Sequence, residues 1–255
     1  MSLVVEQDGA VLTVTFNRPD KHNAMTFDMY AGLAEACERA DSDDGIRAMM
    51  LRGAGRQAFV AGTDITQFEE FETGEDGLAY ERRIGEALMR LEDVTVPTVA
   101  VIHGYCVGAG LAIAAVCDLR VAATSARFGV PIAKTLGNCL SMNNYSLLVH
   151  HLGPSRTLDV LLRAKMLTGG DAKAAGFVHE LCGDDDLDRT ANAVVGTVLR
   201  HSPLSMWAAK QAVARLRRAA LPDGDDIVAK VFASEDFHTA VSMFGTKRQV
   251  KWTGR

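Results

Sequence analysis

The run Val99–Ala115 narrows what this chain can fold into more than any other stretch. It reads Val-Ala-Val-Ile-His-Gly-Tyr-Cys-Val-Gly-Ala-Gly-Leu-Ala-Ile-Ala-Ala. Its first part, with Val99, Val101 and Ile102, favours an extended strand, and the residues after Gly110 favour a helix. Between them, Gly108-Ala109-Gly110 must turn the chain with almost no side chain in the way. A strand–turn–helix junction leaves the first backbone N–H groups of the helix without partners and aimed above the turn. An oxyanion forming there would be well held.

Composition narrows the partners. Of 255 residues, 48% are hydrophobic and 23% charged, which suits a globular protein with a sizeable core. The apolar stretch Val94–Val116 is broken by Pro97, His103 and three glycines, so it reads as buried strand and helix and not as a membrane span. A net charge of -5 and a pI near 5.8 speak against nucleic acid or an anionic membrane as a partner. Cys37, Cys106, Cys117, Cys139 and Cys182 are scattered, with no Cys-x-x-Cys pair, which fits reduced thiols better than disulfides or zinc. The first residues lack the long apolar core of a signal peptide. The expectation is a cytoplasmic protein with no metal site and no tightly bound cofactor.

Strand patterns alternate with helical ones. Val11–Phe16, Ile46–Leu51, Phe59–Gly62, Thr95–His103, Asp118–Ala122 and Phe177–Leu181 read as extended segments. Thr26 or Asp28 can cap a helix whose apolar face is Phe27, Tyr30, Leu33 and Cys37. Tyr80–Leu91 is an amphipathic helix, and Ser141–His151 and Pro154–Arg163 are consecutive ones. The acidic segment Gln67–Gly77 reads as a mobile loop or lid. From Leu187 onward the pattern is helical. Strands alternating with helices up to about Leu181 imply an α/β core, on which, or on a neighbouring subunit, the helical C-terminal part must pack.

Several common chemistries have no support. The glycine turn has Ile113 where a dinucleotide fingerprint needs its third glycine, and P-loop, Gly-x-Ser-x-Gly and His-Glu-x-x-His motifs are missing. His103 reads as a histidine satisfied in its turn, and Cys106 and Cys139 as small apolar packing. A second turn, Phe59-Val60-Ala61-Gly62-Thr63-Asp64-Ile65, is weak alone, because Thr63 or Asp64 could simply cap a helix. It gains weight beside the glycine turn and the upstream Asn17-Arg18-Pro19 and Asn23-Ala24-Met25. In this order and spacing the three segments resemble the crotonase (enoyl-CoA hydratase/isomerase) superfamily. The resemblance continues through Ala115–Ala122, Ala126–Pro131, Leu167-Thr168-Gly169, Ala172–Val178, Ser202-Pro203 and Lys247-Arg248.

That resemblance implies an α/β fold, a ββα spiral over residues 1–195 that binds acyl-CoA, with a helical C-terminal region over 196–255 that closes the pocket and trimerises, giving a homotrimer or a hexamer. It implies an acyl-CoA substrate whose thioester enolate is held by the backbone N–H groups of Ala61 and Ala109. Main chain around Ala61, Thr63, Asp64 and Ile65 would meet the adenine end of coenzyme A, with Lys21 and Lys247 towards phosphate. The two glutamates that hydratases use fall on Ala112 and Ile132 here. Neither side chain can move a proton, so hydration by the usual pair is not expected, nor isomerisation by the usual second glutamate. Asn138, Ser141 and Asn143 are polar residues in the segment expected to line the acyl pocket, where ordinary capping and loop hydrogen bonds compete with a functional role. Asp118 is a further candidate, with a structural hydrogen bond as its competing explanation. The reactions left open are decarboxylation, thioester hydrolysis or double-bond migration with a different base. A non-catalytic acyl-CoA-binding protein is the remaining alternative.

Overall fold

The computed structural model describes residues 1–246 and 249–255. In chain order it begins with β1 (Leu3–Asp8), β2 (Val11–Phe16) and α1 (Phe27–Ser42), followed by β3 (Ala48–Gly53), β4 (Ala58–Ala61) and α2 (Gly74–Asp93). Next come β5 (Thr98–Ile102), β6 (Tyr105–Val107) and α3 (Ala109–Val116), then β7 (Leu119–Ala123), β8 (Arg127–Gly129), α4 (Ile132–Thr135) and α5 (Met142–Leu162). The remainder is β9 (Leu167–Thr168), α6 (Gly169–Ala174), β10 (Glu180–Cys182), α7 (Leu187–Val198), α8 (Pro203–Arg218), α9 (Asp225–Phe232) and α10 (Glu235–Met243).

Each turn of the chain contributes one strand to each of two sheets. The larger has the order β1-β2-β3-β5-β7-β10 and the smaller β4-β6-β8-β9. Strands β3, β5 and β7 are parallel in the first, and β4, β6 and β8 are parallel in the second. The expected α/β spiral of strand, strand and helix is therefore present. Strand β5 is buried along its whole length, as its continuous apolar run requires.

The acidic segment after β4 is more ordered than its composition implies. Phe68 is buried in a short 3-10 turn, Ile65–Phe68, and the rings of Phe71, Tyr80 and Phe237 pack around it, with Phe232 behind them. Thr73 then starts α2, its N–H and hydroxyl donating to Asp76 at 2.8 Å each. The acidic side chains of Glu69, Glu70, Glu72 and Glu75 conceal the buried Phe68, the half-buried Phe71 and the Thr73–Asp76 capping pair. Helix α2 is thus six residues longer at its start than the amphipathic pattern indicates.

The C-terminal helices bind to the core at defined points. Leu187, Ala191 and Val195 of α7 enter a core cluster with β5 and β7, so residue 195, the expected boundary, falls inside a helix that packs on the large sheet. Helix α9 lies so close to α2 that a Cβ on Gly77 would come within 2.3 Å of the Phe232 side chain. Helix α8 is fixed by Arg217, 3% exposed in its side chain, which donates to both carboxylate oxygens of Glu92 at 2.9 and 2.6 Å. The same helix leaves Leu204, Trp207, Val213 and Leu216 exposed. Among the described residues, no helix is long and apolar enough to cross a membrane.

Candidate active site

Three chain segments leave the carboxyl ends of β4, β6 and β8, and all three converge on one cavity of about 220 Å³. Ala61–Thr63 follows β4, Gly108 and Ala109 follow β6, and Pro131 and Ile132 follow β8. A site at the carboxyl end of parallel strands follows from the winding, because each strand must there break off into a loop.

The glycine turn has the geometry its composition demands. Gly108 has φ 55° and ψ -116°, which a side chain would strain. At Gly110 a Cβ would sit 2.0 Å from the carbonyl oxygen of Val60, so the residue must be glycine for α3 to start against β4. Ala109 is the first residue of α3. Among the described residues, its N–H has no protein acceptor. At the far end of this eight-residue helix, the buried guanidinium of Arg120 donates to the carbonyls of Ala114 (2.9 Å) and Cys117 (2.6 Å). Both ends of α3 are thereby accounted for, with the N-terminus facing the cavity.

The other turn requires a correction. Ala61, expected to offer an oxyanion donor, spends its N–H on the carbonyl of His22 at 3.0 Å. The Arg18–Met25 turn that supplies this carbonyl is locked by Asn23, which is fully buried. Asn23 accepts from the Arg18 N–H at 2.9 Å and donates to the carbonyls of Ala54 and Ala58 at 3.0 and 2.8 Å. Two residues on, the situation reverses. The N–H of Met25 donates to Gly62 and that of Asp64 donates to Met25, whereas no described residue accepts from the N–H of Thr63. The Thr63 hydroxyl bridges the phenols of Tyr30 (2.9 Å) and Tyr80 (2.8 Å), both lining the cavity.

The expected polar residues divide. Asn138 lines the cavity, and its Oδ1 is buried without a partner. Ser141 and Asn143 face a different cavity, on the far side of α2. Asn143 accepts from Arg217 at 2.9 Å. Ser141 is the residue preceding α5. Asp118 is also elsewhere: it accepts from the N–H and hydroxyl of Thr98 at 2.7 and 2.9 Å and from Lys210, a structural cluster joining β5 to α8. Asp64 ion-pairs with Arg18 at 2.7 Å and caps the 3-10 turn through Thr66. Burial draws its carboxyl up, and the bonds from Arg18 and Thr66 outweigh this and hold it below the usual range. Ile65 is at the cavity wall and Lys21 is exposed on the Arg18–Met25 turn. Lys247 lies outside the described residues.

The positions of the two absent glutamates, Ala112 and Ile132, both line the cavity. A carboxyl is nevertheless present, from the amphipathic helix α2, none of whose residues stood among the expected site residues. Glu81, on α2, is 7% exposed and lines the same cavity as Thr63 and Ala109. Its Oε2 accepts from the Ser141 N–H at 3.0 Å. Burial pushes this carboxyl up to about 7, only partly opposed by hydrogen bonding from Ser141 and Asn144. Its sole sequence signal is an acid one residue after Tyr80 and three before Ile84, both buried, on an amphipathic helix. His103 is remote from the cavity, with Nε2 3.2 Å from the Gly53 carbonyl oxygen, and burial lowers its affinity for a proton. The Cys106 thiol is fully buried and pushed well above its ordinary range by burial, as inert packing requires.

A two-sheet ββα spiral with its cavity at the carboxyl ends of successive strands defines the class of this fold. Residues 6–255 match the family model described as enoyl-CoA hydratase/isomerase, and the chain belongs to that family of enzymes. It is 28% identical to the short-chain-enoyl-CoA hydratase of Clostridium acetobutylicum, over 98% of this chain and 97% of the relative. It is 31% identical to the 2,3-dehydroadipyl-CoA hydratase of Escherichia coli K12, covering 99% of both. Among solved structures, an enoyl-CoA hydratase/carnithine racemase from Magnetospirillum magneticum superposes with a TM-score of 0.82 at 31% identity, over 100% of this chain and 96% of that one.

Proposed function

We propose that this enzyme binds an acyl-CoA and forms an enolate of its thioester, with the oxyanion held by the backbone N–H groups of Thr63 and Ala109. The observation that carries the reading is the pair itself: two main-chain donors without acceptors among the described residues, at one largely apolar cavity. A preorganised donor of this kind is worth about 3 kcal/mol of transition-state stabilisation. Coenzyme A would run along the main chain of Ala61–Ile65, with the exposed Lys21, and Lys247 from the C-terminal tail, towards its phosphates.

Hydration by two carboxylates is not the reaction this site is equipped for, because alanine and isoleucine occupy both positions at the cavity wall. Chemistry that needs the enolate and a single proton carrier fits better. Double-bond migration is the simplest such reaction. The unpartnered Oδ1 of Asn138 favours an acyl group that carries a hydroxyl or amide donor. We further infer a homotrimer or hexamer, supported by the large apolar side chains that α8 leaves exposed, Leu204, Trp207, Val213 and Leu216.

The test is a titration with acyl-CoA combined with a turnover assay on crotonyl-CoA. Binding with weak or no hydration is the expected result. Turnover at the rate of an efficient hydratase would overturn this assignment, and binding without turnover of any thioester would favour a non-catalytic binder.

A further inference from the structure

We propose that Glu81 is the proton-carrying group of this site, acting on the acyl carbons of a thioester held by Thr63 and Ala109. The inference rests on the acyl-CoA reading above and adds to it a residue from a different element, α2.

Three observations support it. Among the described residues that line the cavity, Glu81 carries the only carboxyl, and no histidine, lysine or cysteine joins it. The remaining ionisable groups there are the phenols of Tyr30 and Tyr80, which burial pushes well above neutrality and which are committed to Thr63 Oγ1. Secondly, among the described residues the carboxyl is buried without an ion pair: its hydrogen-bond partners, Ser141 and Asn144, are both neutral. A carboxyl left unpaired in a dry wall costs stability, so its presence there calls for an explanation beyond packing. Thirdly, Glu81 lies between two cavities. One is the acyl cavity, and the other, bounded by Arg82, Met89, Ser141 and Asp225, lies on the far side. A proton held on Glu81 therefore has an exchange route with solvent that avoids the substrate.

The surroundings suit such a group. The titratable side chains that face it are Tyr30 from α1, Tyr80 from its own helix, Cys139 from the loop before α5, and Tyr145 from α5. All four are uncharged at neutral pH, Cys139 because burial pushes its thiol up to about 12. Arg82, its neighbour on α2, is turned outward to Asp225 at 2.9 Å. Burial alone thus sets Glu81 near neutrality, where a carboxyl both accepts and returns a proton readily.

The step balances without a further reactant. The Glu81 carboxylate takes the proton from the α-carbon, the C–H electron pair passes into the enolate, and negative charge collects on the thioester oxygen at Thr63 and Ala109. Returning the proton to the γ-carbon of an unsaturated acyl chain completes a double-bond shift. Returning a solvent-derived proton to the α-carbon gives exchange.

The experiment uses but-3-enoyl-CoA in deuterated buffer, with deuterium at the α- and γ-carbons read by NMR and binding measured separately by calorimetry. The wild-type enzyme is expected to catalyse exchange at a rate that rises with pH through neutrality. Glu81→Gln is expected to bind but-3-enoyl-CoA as tightly and to exchange about 10²- to 10⁴-fold more slowly. Exchange by Glu81→Gln at the wild-type rate would overturn the proposal. So would a wild-type profile with no inflection near neutrality, a measurement that needs no variant to fold. Binding by wild type without any exchange would also overturn it while leaving the cavity assignment intact. Failure of wild type to bind but-3-enoyl-CoA or longer acyl-CoAs would instead remove the acyl-CoA reading beneath it.

Discussion

The backbone N–H of Ser141 meets the buried carboxyl of Glu81 at 3.0 Å, joining the start of α5 to the middle of α2 across the wall of the acyl cavity. Hydrogen bonding from the neutral Ser141 and Asn144 does not compensate for burial, and the carboxyl is pushed up from 4.5 to about 7. A raised carboxyl holds its proton in the folded state after the unfolded chain has released its own. Stability therefore falls as pH rises from about 4.5 to about 7, by roughly 3 kcal/mol for a gap of that size, and levels off above. Glu81→Gln is expected to flatten this part of the curve and to melt higher than wild type at pH 7.5. Thermal melts of both proteins from pH 4.5 to 8 check it, and parallel curves would refute it.

Restoring carboxylates at positions 112 and 132 asks whether their loss alone separates this site from a hydratase. Both side chains already line the cavity. Ala112→Glu combined with Ile132→Glu is expected to raise crotonyl-CoA hydration by about 10²-fold or more over wild type, with either single change giving little. Loss of crotonyl-CoA absorbance gives the rates. A double variant that folds, binds and remains inactive would show that the cavity differs in more than two side chains.

Two glycine-to-alanine changes should have opposite signs. In Gly110→Ala the new methyl would lie 2.0 Å from the Val60 carbonyl oxygen, which is backbone and cannot swing away. Moving α3 off β4 to make room costs about 1–3 kcal/mol or more and shifts the Ala109 N–H. Gly85 on α2 has open space where its Cβ would be, so Gly85→Ala is expected to stabilise by about 0.5–1 kcal/mol. Urea denaturation measures both.

Thr63 contributes its N–H and its hydroxyl to different tasks. Thr63→Val retains the main-chain donor and removes the bridge to Tyr30 and Tyr80. Two buried phenols then lose a partner, at an expected cost of about 1–3 kcal/mol in stability. Acyl-CoA binding is expected to persist. A calorimetric melt and a binding titration on the same sample separate the two effects.

Helix α8 provides a test of assembly. Leu216 is 79% exposed near the end of the helix. Leu216→Glu is expected to reduce the particle mass towards that of a monomer in light scattering after size exclusion, with the circular dichroism spectrum preserved. A wild-type protein that is already monomeric would refute the trimer or hexamer.

Much of the site was legible in local chemistry. Gly108 and Gly110 announce a tight turn because no other residue tolerates their φ or their approach to Val60, and such constraints act within a few residues. Less legible was which N–H of the second turn is free. Ala61 and Thr63 are two residues apart, and the choice depends on the His22 carbonyl, held in place by Asn23 through contacts with Ala54 and Ala58. The acidic stretch after Gln67 misled for a related reason: charges on its surface say nothing of Phe68 and Phe71 beneath them.

The sequence by itself determined the alternation of strands with helices, the small-residue turn at Ala109, and the absence of carboxylates at 112 and 132, while the two-sheet spiral was implied only by the family resemblance. Those properties follow from side-chain size, backbone freedom and chemical identity at single positions. The tertiary structure alone decided that Thr63 is the open donor beside Ala109, that Asp118, Ser141 and Asn143 lie elsewhere, and that Glu81 enters the cavity. Position 81 is one of several charged residues along α2, and α2 shows its ionisable neighbours Arg82, Arg83 and Glu86 to solvent. What separates Glu81 from them is burial, supplied by residues such as Leu140 and Asn144 that lie roughly 60 positions further along the chain.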